Sequence, residues 1–299
     1  MNVLLTGASG FVGSLLADAL RRQGHEVRGV RVRDEMRASE VERLRQAAVG
    51  VDAIVHLAGE NLFARRWSVE QKQRLWSSRV ATTKRLAAIA VEQDVRCFLS
   101  ASAVGAYGGA SGDDPRGNLD ETSPRGNDFL AELCRDWEEA TEVALEAGIR
   151  TCMLRIGLVL GHGGALARMS TPFRMGLGGP LGDGRQWVSW IHSHDLVRLI
   201  LFLLEHDSIA GHVNGTAPHP ATNRELARTL GRVLRRPALV PVPATALRLA
   251  VGEASSVLLT GQKVLPRKAQ DAGFVFDHPD LESALRDLLL GRRAVGSSR

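Results

Sequence analysis

Short continuous apolar runs alternate with longer stretches of helical spacing along most of the chain. Asn2–Thr6 is one such run, followed at once by glycines, and it predicts a buried strand entering a tight turn. Phe11 to Gln23 then carries apolar residues at three- and four-residue spacing, which predicts a helix. Val27–Val32 and Ala53–Leu57 read as the next strands, and Arg33–Asp52 between them is mostly helix-like, so the third strand usual in a Rossmann half is expected to be abbreviated or absent. A long helix is expected over Val69–Glu92, a strand over Cys97–Ser100, a helix over Phe129–Ala147, a strand over Cys152–Ile156 and a helix over Leu196–Glu205. Gly108–Asp128, rich in Gly, Pro and Asp, is a loop long enough to cover a site.

Strand and helix alternating without internal repeats predicts an α/β protein, a doubly wound parallel sheet of Rossmann type. Past Gly157 the texture changes. Gly161–Gly184 is glycine-rich, helical patches follow at Asn223–Leu234 and Ala244–Leu259, and Leu239–Val242 is a proline-flanked strand candidate. The expected division is a dinucleotide-binding domain over 1–160, to which 186–215 returns, a smaller C-terminal substrate-side lobe from 161–185 and 216–290, and a disordered tail at 291–299.

Composition narrows the function. Forty-four per cent hydrophobic and 24% charged residues in 299 describe ordinary globular material. The net charge of +5 is spread as arginine along helical stretches with no aromatic interleaving, so nucleic acid is not an expected partner. Cys97, Cys134 and Cys152 form no CxxC pair, which argues against a disulfide framework or a zinc site; no metal is expected. With no leader-like N-terminus and no apolar stretch of membrane length, the expectation is a cytoplasmic protein without a membrane partner. A homo-oligomer is compatible with all of this.

The segment TGASGFVG carries the sharpest chemistry. Following a strand and opening a helix, Gly7 suits the tight turn, Gly10 the approach of backbone to a pyrophosphate, and Gly13 close packing of helix on strand. Ser9, Phe11 and Val12 complete the cradle, with the helix N-terminus facing the negative charge. The second strand ends Arg31–Val32–Arg33, and arginines there suit the 2′-phosphate of NADP(H). Asp34 follows and could instead hold a ribose diol, so NADP(H) is favoured and NAD(H) stays open.

With TGASGFVG, HLAGE, SASAVGAYG, LRIGLVLG and WIHSHD in order, the chain resembles the extended short-chain dehydrogenase/reductases of the epimerase/dehydratase group. RWSVEQKQRLWSSRV and ELCRDWEEA resemble more narrowly its atypical "epimerase family protein" branch. The resemblance implies a nicotinamide cofactor, with Leu57, Ala58 and Gly59 beside its adenosine half, Arg155 and Gly157 along its edge, and Ser100 and Ser102 near the nicotinamide. It also implies a catalytic tyrosine with a lysine four residues later, and here the chain departs. Its one tyrosine, Tyr107, has Ser111 four residues on. The expected helix reads FLAELCRDWEEA, with Leu130 and Cys134, or Phe129 and Leu133, at the two positions, and Arg79 replaces an asparagine that opens the preceding helix. The usual sugar-epimerase chemistry is therefore not expected.

Ser100, Ser102 and Tyr107 remain the catalytic candidates, the phenol as a proton or hydrogen-bond donor. Cys134 is either a redox-active thiol or a small buried hydrophobe. His192 and Asp195 either work as an acid/base pair or serve structure, Asp195 capping the helix that begins near Leu196. Trp187 and Trp190 either line a pocket or fill core, and Arg174, Arg185 and Gln186 suit an anionic small-molecule substrate. Two functions follow: an NADP(H)-dependent oxidoreductase or epimerase-like enzyme on an unidentified small substrate, or a non-catalytic dinucleotide-binding protein used for redox sensing or protein interaction.

Overall fold

The computed structural model describes residues 1–32, 38–110 and 116–291. Arg33, Asp34, Ser111 and all but the first residue of the expected tail lie outside them.

The chain opens with β1 (Asn2–Thr6), α1 (Phe11–Arg22), β2 (Glu26–Val30), α2 (Ala38–Ala48) and β3 (Ala53–His56). The long helix expected next is two helices, α3 (Val69–Ser77) and α4 (Val80–Glu92). They part at Ser78–Arg79 because both side chains are drawn back to residue 60: the Glu60 N–H donates to Ser78 Oγ and Arg79 donates to the Glu60 carbonyl. After β4 (Cys97–Ala103), the second long helix also divides, into α5 (Phe129–Glu139) and α6 (Glu142–Glu146); Thr141 Oγ1 turns onto the Glu138 carbonyl at the break. Then come β5 (Arg150–Ile156), β6 (Leu158–Leu160), α7 (Gly164–Arg174), β7 (Trp187–Val188), β8 (Trp190–His192), α8 (Ser193–Glu205) and β9 (Gly211–Gly215).

Six parallel strands form the central sheet in the order β2-β1-β3-β4-β5-β9. Strand β3 pairs with β1 on the side away from β2, so no third strand lies beyond β2 among the described residues, as expected. The order reverses at β1, and the crevice beyond the carboxyl ends of β1 and β3 is where such sheets bind ligands. Alternation along the strands fills two cores. Leu5, Val55, Leu99 and Leu154 face α1 and α8, whereas Leu4, Ile54 and Phe98 face α2 and α4.

The remaining elements are β10 (Ala221–Thr222), α9 (Asn223–Leu234), α10 (Ala244–Val251), α11 (Ser256–Leu259), α12 (Arg267–Asp271) and α13 (Leu281–Leu290). Leu166, Phe173, Trp190, Leu226, Leu230, Leu285 and Leu288 give them a core of their own. Thr222 and Glu225 make a reciprocal capping box at the start of α9. The strand expected at Leu239–Val242 is only an extended pass beside residues 178–182, because Pro241 removes a donor from the ladder. The helix expected over 244–259 is interrupted at Gly252, whose φ of +66° no continuing helix adopts.

Candidate functional site

The turn after β1 shows why it needs glycine. Gly7 has φ +77°, and a Cβ there would lie 2.9 Å from the backbone of Leu57 and Ala58. A Cβ on Gly13 would meet the Gly7 carbonyl oxygen at 2.0 Å, so α1 can start this close to the turn only with glycine. Gly10 differs: an added Cβ meets only that same oxygen, at 3.1 Å. The Gly10 N–H is itself spent, donating to Gly7 O at 2.9 Å. The groups left to an anion are the amides that follow it. No side chain caps α1 and its first turn holds no acid, so the N–H groups of Phe11 and Val12 and the positive helix end are free to face a phosphate. The Phe11 ring packs instead against Gly161, Gly163 and Gly164.

From this cradle a groove of about 1040 Å³ runs across the ends of β1, β2 and β3 to α3. Gly7, Ser9, Gly10, Arg31, Leu57, Ala58 and Gly59, all expected from the sequence to meet a cofactor, line it. So do Arg65, Gln73, Arg74, Ser77, Ser78 and Thr82, which sequence reasoning did not single out; the helical spacing of 73, 74, 77 and 78 was the available signal. Arg79 ties the groove wall together, donating to Glu60 O at 2.8 Å and Leu75 O at 3.1 Å with its guanidinium 5.2 Å from the Trp137 ring.

The catalytic candidates are elsewhere: among the lining residues are neither Ser100, Ser102 nor Tyr107. Ser102, Arg155 and Asn214 stand in register across β4, β5 and β9, and all three are buried. Ser102 Oγ donates to Glu138 of α5 at 2.7 Å, and Arg155 grips the same carboxylate with two bonds of 2.8 Å. Arg125 and His212 reach it from the rim at 2.8 and 3.1 Å. Burial alone would raise the Glu138 pKa, but hydrogen bonds from Arg155, His212 and Ser102 and the Arg155 charge bring it down to about 2. Arg155 therefore spends its side chain on Glu138, while its guanidinium also lies 4.9 Å from the Tyr107 ring.

Tyr107 is wholly buried and its hydroxyl donates to Asn214 Oδ1 at 2.8 Å; burial pushes its pKa up. Ser100 Oγ donates to the Ala101 carbonyl at 3.2 Å. On α5, Leu130 and Cys134 pack against Gly105, and burial and the Glu138 charge push the Cys134 thiol up to about 12, which leaves it a protonated hydrophobe at neutral pH. A Cβ on Gly157 would meet Ser189 O at 2.3 Å, so that glycine serves close passage of two segments. One further group was not foreseen. His56, at the end of β3, shares 2.6 Å with Thr6 Oγ1 through Nδ1, its buried Nε2 has no partner, and burial holds its pKa near 3.

His192 and Asp195 do not form a pair. Helix α8 starts at Ser193, and His192 Nδ1 caps it by accepting the His194 N–H at 3.1 Å. Asp195 does not cap; it accepts the N–H groups of Asp277 and His278 at 2.9 and 2.8 Å and pins the C-terminal segment to α8. His192, His278 and Asp287 bring ligand atoms within 4.8 Å. Because His192 Nδ1 already accepts a proton, its Nε2 carries one, which suits a bond toward Asp287 and not a metal. Trp190 is buried in the lobe and bonds His219 O, and Gln186 donates to Leu181 O and Leu258 O, so both are structural. Trp187 lies under Lys263, and Arg174 and Arg185 are exposed.

The model of the NAD dependent epimerase/dehydratase family matches residues 3–214, and that of a domain of unknown function matches 242–288. The chain is 42% identical to Epimerase family protein ML0860 of Mycobacterium leprae, over 95% of this chain and 94% of that one. It is 40% identical to the chloroplastic SDR39U1 homolog of Arabidopsis thaliana, over 97% and 87%. The crystal structure of human epimerase family protein SDR39U1 (isoform 2) with NADPH superposes with a TM-score of 0.87 at 34% identity, covering 96% of this chain and 99% of that one.

Proposed function

The chain belongs to the NAD dependent epimerase/dehydratase family, and from that premise we propose that it is an NADP(H)-dependent oxidoreductase or epimerase-like enzyme acting on a small molecule in the cytoplasm. The observation that carries this reading is the uncapped N-terminus of α1 opening, at Gly10, on a groove whose far end is lined by Arg31. The amides of Phe11 and Val12 would hold the pyrophosphate, Ala58 and Gly59 would flank the adenosine, and Arg31 would favour a 2′-phosphate over a ribose diol. The human relative crystallised with NADPH supports the same choice. The bound nicotinamide supplies hydride transfer.

Ser100, Ser102 and Tyr107 are proposed to move the accompanying proton, and Tyr107 can act only by giving up its bond to Asn214. That closed bond favours the second reading, a dinucleotide-binding protein without turnover. No helix among the described residues is long and apolar enough to cross a membrane, and the three cysteines are buried and unpaired, which supports the cytoplasmic placement.

Calorimetric titration with NADPH and NADH tests the cofactor assignment. A gain of roughly 1.5–3 kcal/mol for NADPH, one to two decades in affinity, is expected from a charge-assisted contact. Equal affinities would overturn it. NADPH consumption with a panel of small carbonyl compounds then separates the enzyme from the binding protein.

A further inference from the structure

We propose that α3 and the turn before it form a second wall of the adenosine site, in which Arg74 and Arg65 hold the 2′-phosphate from the side opposite Arg31. This rests on the NADP(H) reading above and names residues that the usual arginine at the end of β2 does not include.

Three segments far apart in sequence bring the arginines to one groove: the end of β2 brings Arg31, the bend before α3 brings Arg65, and α3 itself brings Arg74. Strands β2 and β3 pair on opposite sides of β1. Arg31 therefore enters from one flank of the cradle, and the segment after β3 from the other. On α3 the side facing the groove carries Gln73, Arg74, Ser77 and Ser78, while Gln71 and Leu75 are buried against the body.

Several arginines elsewhere are held by carboxylates, as in Arg45–Glu92 at 2.9 Å, Arg155–Glu138 at 2.8 Å and Arg232–Glu282 at 2.5 Å. Among the described residues none of Arg31, Arg65 and Arg74 reaches a carboxylate within ion-pair distance, although Arg74 stands one turn from Glu70 on α3 and helps to lower the pKa of that carboxyl. Among the described residues Glu60 is the one acid that lines the groove. Three guanidinium groups lining one groove offer a dianionic phosphate charge-assisted bonds that a ribose diol cannot match. The pyrophosphate would be served by the α1 amides instead.

The test is calorimetry of the full chain with NADPH, NADH, 2′,5′-ADP and 5′-AMP, on the wild type and on Arg74→Ala, Arg65→Ala and Arg74→Lys. The alanine variants should each weaken NADPH and 2′,5′-ADP by about tenfold and leave NADH and 5′-AMP within about twofold, with Arg74→Lys recovering part of the loss. Arg65 and Arg74 are both exposed, so thermal midpoints of the three variants should match the wild type. Equal weakening of NADPH and NADH, or none of either, overturns the assignment. Wild-type protein that takes up no NADPH overturns the proposed function along with it. Wild-type protein that binds NADPH, with variants that bind it equally well, overturns the second wall alone.

Discussion

The two ends of the sheet's carboxyl edge are built on opposite principles. Around β1 and β3 the structure leaves groups open: helix amides without a cap, glycines where a Cβ would crowd the turn, and the arginines Arg31, Arg65 and Arg74 without an ion pair among the described residues. Around β4, β5 and β9 it closes every group, with Ser102, Arg155 and Arg125 on Glu138 and the Tyr107 hydroxyl on Asn214. Open polar groups cost stability and persist where a ligand repays them, whereas closed buried networks rigidify a core. The contrast separates a groove whose open groups suit a dinucleotide from an α5 whose Leu130 and Cys134 serve packing.

The largest effect should come from opening the closed end. Glu138→Ala leaves the Arg155 guanidinium buried without its carboxylate and should cost about 3–5 kcal/mol, read from the urea midpoint. A cost below about 1 kcal/mol would mean that the network is looser than described. Filling the open end should be next. Gly10→Val places a branched side chain where only the Gly7 oxygen stands within reach, so NADPH affinity should drop by at least about a hundredfold, near 2.7 kcal/mol, with circular dichroism close to native. Undiminished binding would place the cradle elsewhere.

A smaller effect per step sharpens the comparison through pH. His56 is held neutral with a pKa near 3 and His192 near 4, in each case chiefly by burial. Their unfolded rings take up a proton near pH 6.5. Both pKa values are depressed, so the folded state binds fewer protons than the unfolded one below that pH. Stability is complete above about pH 6.5 and falls toward 3 to 4, by about 1.4 kcal/mol per unit and per ring. His56→Gln, measured by chemical denaturation across that window, should flatten the slope; an unchanged slope would assign the acid sensitivity to other groups. The smallest effect is expected from Tyr107→Phe, which removes one buried hydrogen bond and should cost about 1 kcal/mol of stability with NADPH affinity unchanged.

Much of this was legible beforehand because local chemistry decided it. A strand, a glycine turn and a helix at Asn2–Arg22 leave little freedom, and the loss of the usual tyrosine and lysine is visible in FLAELCRDWEEA. The missed features depend on distant residues. Nothing near Ser78 announces that Glu60 will draw it out of a helix, and nothing near Asp195 says that its carboxylate will hold Asp277 and His278. Arg65 and Arg74 carry no local signal of a site, and only the fold of β3 and α3 brings them to the groove that Arg31 also lines.

The central claim is that an open cofactor end has been joined to a reaction centre closed to the family's proton chemistry. It is tested most directly by incubating the NADP(H)-loaded protein with a panel of UDP- and GDP-sugars and following the sugar signals by NMR. In a sugar epimerase, a positioned general base contributes about 10²–10⁴-fold to the rate. Positions 129, 130, 133 and 134 hold Phe129, Leu130, Leu133 and Cys134, none of which can do that. The expected result is no epimer or dehydrated product at a rate typical of such enzymes. Robust turnover that survives Tyr107→Phe would contradict the account outright, whereas turnover abolished by Tyr107→Phe would assign the proton transfer to the proposed Tyr107 phenol.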